Sequence, residues 1–353
     1  MFFSVAPITV CNAVLFLVVP SATMGADEGR HRLGRLMARW YRMLAVPSRS
    51  RLRTVRLACA LVAGCLLNGI AGAQELEPRA YSPAPVGMNV AAVVYGNSKG
   101  DLSFDPSVPA TDVTARIQAY SLGYARTFGL AGHSASFSVA LPHITGNVSG
   151  NVGEERATAD RSGFGDARLR LSVNLFGGPA LTPGEFAQRT PGTAVGASLS
   201  VVAPTGEYDS SKLINIGSNR WAFKPEVGIT HEFGRWFLES SAGVWLFTDN
   251  NEFYGGKERQ QDPLGTLQFH AGYTFRPGLW LAGNATYYAG GRTSVDGVEK
   301  QDRQGNSRYG LTLSLPIDRA WSAKLAWSEG LLTRIGGDFT TFSIALQYRW
   351  FDN

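Results

Sequence analysis

From residue 88 onward the chain repeats one pattern, in which apolar and polar side chains alternate with a period of two. In the last repeat Phe342, Ile344 and Leu346 alternate with Ser343 and Gln347. Alternation of this kind gives a β-strand one apolar and one polar face. After residue 74 no apolar run approaches the roughly 18 residues that a membrane-spanning helix needs. The chain is therefore expected to form β-sheet that is apolar on one side only.

Twelve segments carry this alternation, and most have about the 9 to 11 residues that a tilted transmembrane strand requires. In the second segment the apolar phase shifts between Ile117 and Tyr120, which predicts a β-bulge there. The twelve segments are 88–96, 112–128, 133–145, 163–175, 193–203, 222–233, 236–248, 264–275, 279–290, 306–315, 320–328 and 340–351.

Short and long connections alternate between these segments. The link 177–192 is long although it falls among the short ones, and its prolines indicate an ordered detour. Outer-membrane barrels have short periplasmic turns and longer extracellular loops. The sequence therefore predicts an all-β fold, a transmembrane antiparallel β-barrel of twelve strands with both termini in the periplasm. The short turns are 129–132, 234–235, 276–278 and 316–319, and the long links are 97–111, 146–162, 204–221, 249–263, 291–305 and 329–339.

A soluble β-sandwich or lipocalin-like barrel would also alternate, with its apolar face turned toward a core. The chain instead places tyrosine and tryptophan near strand ends, which fits aromatic girdles at the membrane interfaces. Its last strand ends in Tyr348-Arg349-Trp350-Phe351, similar to the terminal signal read by the outer-membrane assembly machinery. We expect a bacterial outer-membrane location, with membrane lipid, lipopolysaccharide and that machinery as partners. The aromatic residues are Tyr273, Trp280, Tyr287, Tyr309, Trp321, Trp327, Tyr348 and Trp350.

The first 73 residues are typical of a targeting segment. A basic stretch (49–56) and an apolar stretch (57–70) precede Ala71-Gly72-Ala73, and small residues at this spacing predict cleavage after Ala73. A lipoprotein-type signal at Cys65 is the alternative. Met43 would start an ordinary signal peptide, so residues 1–42 result either from a misassigned start codon or from a real inner-membrane anchor. The expected domains are 1–73, extension and cleaved signal peptide; 74–87, a short periplasmic lead-in; and 88–353, the barrel.

The basic charge balance of the chain belongs to this leader. The formal net charge is +5, but nine of the 33 basic residues and two of the 28 acidic residues precede residue 74. The mature chain then has 24 basic and 26 acidic side chains, so we expect no nucleic-acid partner. All three cysteines, Cys11, Cys59 and Cys65, also lie in the leader, which leaves the mature chain without disulfide or thiolate chemistry.

Several segments resemble one outer-membrane family. Gly163-Phe164-Gly165-Asp166, Ala203-Pro204-Thr205-Gly206 and the run GSNRWAFKPE (217–226) are similar to the transporter family of the meta-pathway of phenol degradation. The runs at 247–263 and 286–297 resemble it as well, so the resemblance covers 86–353. It implies a link to the degradation of aromatic compounds and a role in uptake. The chain departs from an ordinary member in its long amino-terminal extension.

No pattern for an enzyme, a metal or a cofactor appears in the mature sequence. An outer-membrane phospholipase needs a serine beside a histidine base and a polar residue that orients the base. Of His133, His143, His231 and His270, none stands in an H-x-S context, and no G-x-S-x-G motif occurs. Zinc, P-loop and dinucleotide motifs are missing as well. The residues 249–252 could bind a divalent cation, but a plain solvated loop is the preferred interpretation.

The polar strand faces define the predicted lumen. Barrels of eight strands are filled by side chains and those of sixteen hold a channel, so twelve strands predict a narrow, gated or plugged passage. The residues predicted to face the lumen include seven cations and only two carboxylates. The resulting positive potential would favour anionic solutes. Alternatively, the arginines brace the wall through ion pairs. The predicted solute path comprises Arg116, Asp166, Arg168, Arg170, Lys224, Glu226, Gln268, His270, Arg308, Lys324 and Arg349, with Gln118, Asn284 and Gln347 on the same faces.

From these features we expect passage of small organic solutes, aromatic or carboxylate, into the periplasm. A phospholipase-like hydrolase and a surface barrel that transports nothing are the alternatives.

Overall fold

A computed structural model describes residues 77–103, 110–152 and 155–352 of the chain. The predicted leader, 1–73, lies outside the described residues. The described elements are β1 (Met88–Ser103), β2 (Ala110–Leu130), β3 (His133–Val152), β4 (Glu155–Phe164), β5 (Ala167–Phe176), α1 (Pro183–Ala187), β6 (Thr193–Ala203), β7 (Ala222–Phe233), β8 (Trp236–Phe247), β9 (Asn250–Phe253), β10 (Lys257–Gln261), β11 (Leu264–Arg276), β12 (Leu279–Gly290), β13 (Thr293–Val295), β14 (Val298–Glu299), β15 (Gln304–Pro316), β16 (Trp321–Leu332) and β17 (Gly336–Phe351).

Antiparallel pairing closes these strands into a barrel. The hydrogen-bonded order runs β2-β1-β17-β16-β15-β12-β11-β8-β7-β6-β5-β3, and β2 also pairs with β3, which completes the ring of twelve. The first and last strands pair along their whole length, from Met88 opposite Phe351 to Ser103 opposite Gly336. The predicted twelve-stranded antiparallel barrel is therefore confirmed. No helix among the described residues is long and apolar enough to cross a membrane.

The predicted fourth strand is divided in two. The loop-end half of β3 pairs with β4, and its turn-end half pairs with β5. Gly165 and Asp166 separate the two halves, and the register shifts by one residue across them. The wall therefore contains a break at the position of the Gly163-Phe164-Gly165-Asp166 motif.

Apolar side chains cover the outward face of the barrel, with an aromatic row near each end. At the turn end the rings of Trp321 and Tyr348 lie 4.9 Å apart. At the loop end the rings of Tyr95 and Tyr120 lie 5.0 Å apart. Two such rows flank the lipid-facing band of an outer-membrane barrel. Trp280 does not belong to either row, because it points into the lumen and packs edge-on against Phe237.

At the loop end the first strands are longer than predicted. The links expected at 97–111 and 146–162 are largely strand, because β1, β2 and β3 continue past the aromatic row. Odd-numbered residues of β2 face inward throughout, so the bulge predicted between Ile117 and Tyr120 is absent from this described strand. The irregularity lies instead between Thr111 and Thr114. The apolar phase reverses because the projecting part of β2 faces water outside and packed side chains inside.

The packed side chains inside this projecting part form what we call the apolar patch. It comprises Leu102, Val113, Ala115, Ile117, Val148 and Phe339 from the wall, together with Ile214 from the loop 204–221. Ala115 is 1% and Ile117 4% exposed. The loop 204–221 thus folds over the loop end of the lumen and contributes a side chain to its lining.

Two other loops at this end contain a small sheet of their own. The strands β9, β10, β13 and β14 pair in the order β14-β13-β10-β9. Leu213, Phe253 and Val295 form its core, so this sheet and the loop 204–221 pack as one unit.

The long link at the turn end is an ordered detour, as its prolines predicted. Thr182 and Glu185 form a capping box at the start of α1. The detour also binds the segment that precedes β1, because Val86 N donates to Leu181 O at 2.9 Å.

Candidate functional site

The described N-terminal residues lie inside the barrel. Residues 77–83, which we call the N-terminal plug, enter the lumen at the turn end, and Tyr81 is only 1% exposed there. Residues 84–87 then follow the rim to the start of β1. The described part of the predicted lead-in, 77–87, thus contacts the inner wall and the turn-end rim of the barrel.

Tyr81 anchors the plug in the middle of the wall formed by β6, β7 and β8. Its hydroxyl donates to Glu226 Oε1 at 2.8 Å and lies 2.9 Å from Ser198 Oγ. Burial, together with the charge on Glu226, raises the pKa of the Tyr81 hydroxyl above its ordinary value. The hydroxyl therefore stays protonated and available as a donor.

Glycine makes room for the ring of Tyr81. A Cβ atom on Gly228 would lie 2.3 Å from two ring carbons of Tyr81, far closer than real contacts allow. A side chain at this inward position of β7 is incompatible with the plug in its present place.

Glu226 is the carboxylate on which the plug and the wall converge. Lys224 Nζ lies 3.0 Å from its Oε2 and Arg170 Nη2 lies 3.3 Å from its Oε1. Gln268 Nε2 also donates to Oε2, at 3.1 Å. Glu226 and Lys224 are each 4% exposed, and a charge so well buried is stable only when it is paired and hydrogen-bonded.

A second carboxylate, Glu239, holds the plug backbone. The amides of Ala80 and Tyr81 donate to its two oxygens at 3.0 and 3.2 Å. The neighbouring guanidinium of Arg79 lies 4.3 Å from the ring centre of Phe237 and donates to Thr274 Oγ1 at 2.8 Å. Backbone, ring and guanidinium of the plug are thus each bound by a different group of the wall.

A small recess, with a free volume of about 30 Å³, remains between plug and wall. Its lining is strongly charged, so it suits water, ions or the polar end of a solute better than an apolar ring. It is lined by Glu77, Ala80, Arg170, Lys224, Glu226, Glu239, Ser241, Gln268 and His270.

The histidine in this recess belongs to a wall ladder. His270 Nδ1 lies 2.9 Å from Asn284 Oδ1, and Asn284 Nδ2 donates to Thr312 Oγ1 at 2.9 Å. Ser241 lines the same recess, but among the described residues no serine hydroxyl bonds to His270. A hydrolase would need that bond to activate its nucleophile. The geometry is that of cross-strand bracing.

Most of the predicted path residues do face the lumen. Arg168, Arg170, Lys224, Glu226, Gln268, His270 and Lys324 line its middle. Nearer the loop end, Arg308 donates to Phe339 O at 2.8 Å beside the apolar patch. Arg349 lies exposed at the turn-end rim, where its Nε donates to Arg319 O at 2.9 Å.

Asp166 has a different role from the one predicted. Its carboxylate accepts from Gly206 N at 2.9 Å and from the amide and hydroxyl of Ser218 at 2.9 and 2.5 Å. It therefore anchors both ends of the loop 204–221 to the break between β4 and β5.

Arg116 and Gln118 were predicted to line the lumen, and this is wrong. Both are exposed, and they alternate with the buried Ala115 and Ile117. Their polar face points outward because this part of β2 projects beyond the membrane band.

The predicted solute path does not include the carboxylates that surround the plug. Glu77 lies 3.7 Å from Arg170, and Glu232 lies 3.7 Å from Arg79. With Glu239, they bring the lumen closer to charge balance than the seven-to-two count suggested. Strand phase alone identifies Glu239 and Glu232 as inward residues, since they share faces with Phe237 and Thr230. No alternation marks residues 77–83, so the plug itself carries no such signal.

A solved structure of an outer-membrane channel shares this fold. The COG4313 outer membrane channel from Pseudomonas putida F1 superposes with a TM-score of 0.67 and 21% identity, covering 78% of this chain and 100% of that chain. The KdgM porin superposes with a TM-score of 0.39 and 11% identity, covering 73% of this chain and 98% of that chain. The CymD monoaromatic hydrocarbon channel superposes with a TM-score of 0.38 and 9% identity, covering 83% of this chain and 94% of that chain. No curated protein matches the sequence.

A protein-family model identifies the family to which the sequence belongs. The model described as the MetA-pathway of phenol degradation matches residues 96–350, which is nearly the whole barrel. This confirms the resemblance found in the sequence motifs, and with the closed twelve-stranded wall it places the protein in the bacterial outer membrane. The chain belongs to the family of the MetA-pathway of phenol degradation.

Proposed function

We propose that this barrel passes small organic solutes with an aromatic or other apolar body across the outer membrane into the periplasm. The observation that carries the proposal is the apolar patch. The lumen of an outer-membrane barrel is ordinarily polar. Here the inward positions Val113, Ile117 and Phe339 are apolar and pack against Ile214 of the loop 204–221, so the loop end of the lumen is apolar.

The charged middle of the lumen supports a solute with a polar end. An aromatic ring held against the apolar patch could direct a hydroxyl or carboxylate toward Arg308, whose guanidinium already bonds to Phe339 O. Deeper in the lumen, Arg170 and Lys224 both pair with Glu226, and Arg170 pairs with Glu77 as well, which favours wall bracing over an open conduit for anions. We therefore rank neutral phenols above free carboxylates as solutes.

The plug occupies part of the lumen below the apolar patch, where it is bound to Glu226 and Glu239. A shift of the plug would therefore widen the passage for a solute of aromatic size. The family description, which refers to phenol degradation, supports the same class of solute. The terminal Tyr348-Arg349-Trp350-Phe351 supports insertion by the outer-membrane assembly machinery.

The test is uptake of labelled phenol and benzoate by cells that make the barrel but lack general porins. At low concentration, where the outer membrane limits entry, Ile117→Asn should reduce phenol uptake. A ring that loses apolar contact of this size loses about 1 kcal/mol, or about fivefold in binding.

The matched control is Gln118→Asn, one residue away on the outward face, which should behave as the wild type. Equal phenol uptake by Ile117→Asn and Gln118→Asn would refute the role of the apolar patch. Benzoate uptake that exceeds phenol uptake would reverse the order of solutes.

A further inference from the structure

Two cations stand directly opposite each other on the outward face of the barrel. Lys99 of β1 pairs in register with Arg116 of β2, and both side chains are exposed. Like charges in this arrangement repel and destabilise a sheet. Within the described residues neither cation forms an ion pair with an acidic side chain.

The level of this pair in the membrane is fixed by the aromatic row beneath it. Tyr95 and Tyr120 also pair directly, four residues nearer the barrel centre on the same two strands. Four residues of a tilted strand rise about 10 Å along the membrane normal. Aromatic rows mark the headgroup level, so the cations lie at the outer margin of the headgroup layer, within reach of it through their long side chains.

Neutral hydrogen-bonding groups surround the cations on the membrane side. Asn97 and Gln118 form the next outward pair below them, and Asn147 lies beside Arg116 on β3. The acids around the pair lie on another row or another strand: Asp101 and Asp338 pair one row further from the bilayer, and Asp160 on β4 accepts a hydrogen bond from Asn147. The membrane-facing side of the pair is therefore cationic and rich in donors.

We propose that Lys99 and Arg116 bind a phosphate group of lipid A, the membrane anchor of lipopolysaccharide, in the outer leaflet. Arg forms paired, charge-assisted hydrogen bonds to phosphate, and Lys adds a second positive charge. An anion between the two side chains removes their mutual repulsion. The proposal does not depend on which solute passes through the barrel.

The experiment is native mass spectrometry of the mature protein in detergent, titrated with bisphosphorylated lipid A. The wild type should retain at least one lipid A molecule, and Lys99→Glu combined with Arg116→Glu should lower its occupancy by an order of magnitude. Raising the salt concentration should weaken the wild-type complex, because exposed charges are screened. Lys99→Gln combined with Arg116→Gln keeps the test valid if charge reversal disturbs folding.

The matched control reverses two exposed cations at the opposite rim, Arg235→Glu with Arg276→Glu, and should bind lipid A as the wild type does. Dephosphorylated lipid A should bind the wild type no more tightly than it binds the Lys99→Glu, Arg116→Glu variant. Inorganic phosphate at the same concentration should leave lipid A bound, since the acyl chains contribute to retention. Equal lipid A occupancy in the wild type and in both Lys99/Arg116 variants, or displacement by inorganic phosphate, would overturn the proposal.

Discussion

Single residues decide whether the N-terminal plug fits the wall. The ring of Tyr81 occupies the space that a side chain on Gly228 would need, and its hydroxyl reaches Glu226 across that space. Because interiors are closely packed, a single added methyl group at such a point is felt. The fit of the plug therefore depends on the absence of an atom as much as on the bonds that Tyr81 forms.

We expect Gly228→Ala to destabilise the barrel by about 1 to 3 kcal/mol, the usual effect of overpacking. In a Tyr81→Ala background the same change should have almost no effect, since the clashing ring is gone. The free energy of unfolding in urea, measured for both single variants and the double variant, gives this coupling directly. Gly283→Ala is the control, because the nearest atom to its Cβ lies 4.0 Å away. Additive effects of Gly228→Ala and Tyr81→Ala would show that the plug does not sit where we describe it.

At the scale of elements, the break between β4 and β5 serves as an anchor for the loop 204–221. Asp166 stands in the break and accepts hydrogen bonds from both ends of the loop, at Gly206 and Ser218. The loop then carries Ile214 into the apolar patch. The break between β4 and β5 is thus connected, through the loop 204–221, to the side chains that line the lumen.

Asp166→Ala should release this loop. Each bond from a backbone amide to a carboxylate contributes about 1.5 to 3 kcal/mol, so amide exchange within 204–221 should become at least about tenfold faster. Hydrogen exchange followed by mass spectrometry measures this, and the detour 177–192 at the opposite end provides the internal control. Asp166→Asn, which keeps one acceptor oxygen, should lie between. Unchanged exchange in the alanine variant would mean that other contacts hold the loop.

The alternation of side chains predicts the wall strands of the barrel because each strand contacts lipid on one side. It failed where that condition ends. On the projecting part of β2 water replaces lipid outside, so the apolar residues Ala115 and Ile117 mark the inner face and Arg116 the outer one. The assignment of Trp280 to an aromatic girdle was also wrong, because an inward ring near a strand end has the same sequence position as a girdle residue. The sequence predicts only part of the candidate site. Its wall residues follow from strand phase, whereas the plug depends on contacts between residues more than 100 positions apart.

At the scale of the whole molecule, the long loops should face the medium and the short turns the periplasm. The chain has no cysteine after residue 65, so single introduced cysteines report their own position. Asn251→Cys should be labelled on intact cells by a membrane-impermeant maleimide, whereas Pro277→Cys should react only after the outer membrane is opened. Both positions are exposed, so burial does not confuse the comparison. Labelling of Pro277→Cys on intact cells would show an inverted barrel.

The sequence positions of the plug contacts also order the events of biogenesis. Tyr81 is 117 residues away from Ser198 and 145 away from Glu226, so the plug emerges from the secretion channel long before its binding surface exists. Contacts of such separation form late, because the intervening chain must first be arranged. The plug can therefore reach its place only after the strands that carry Ser198, Glu226 and Glu239 have formed, so its docking is a late step in the folding of the barrel.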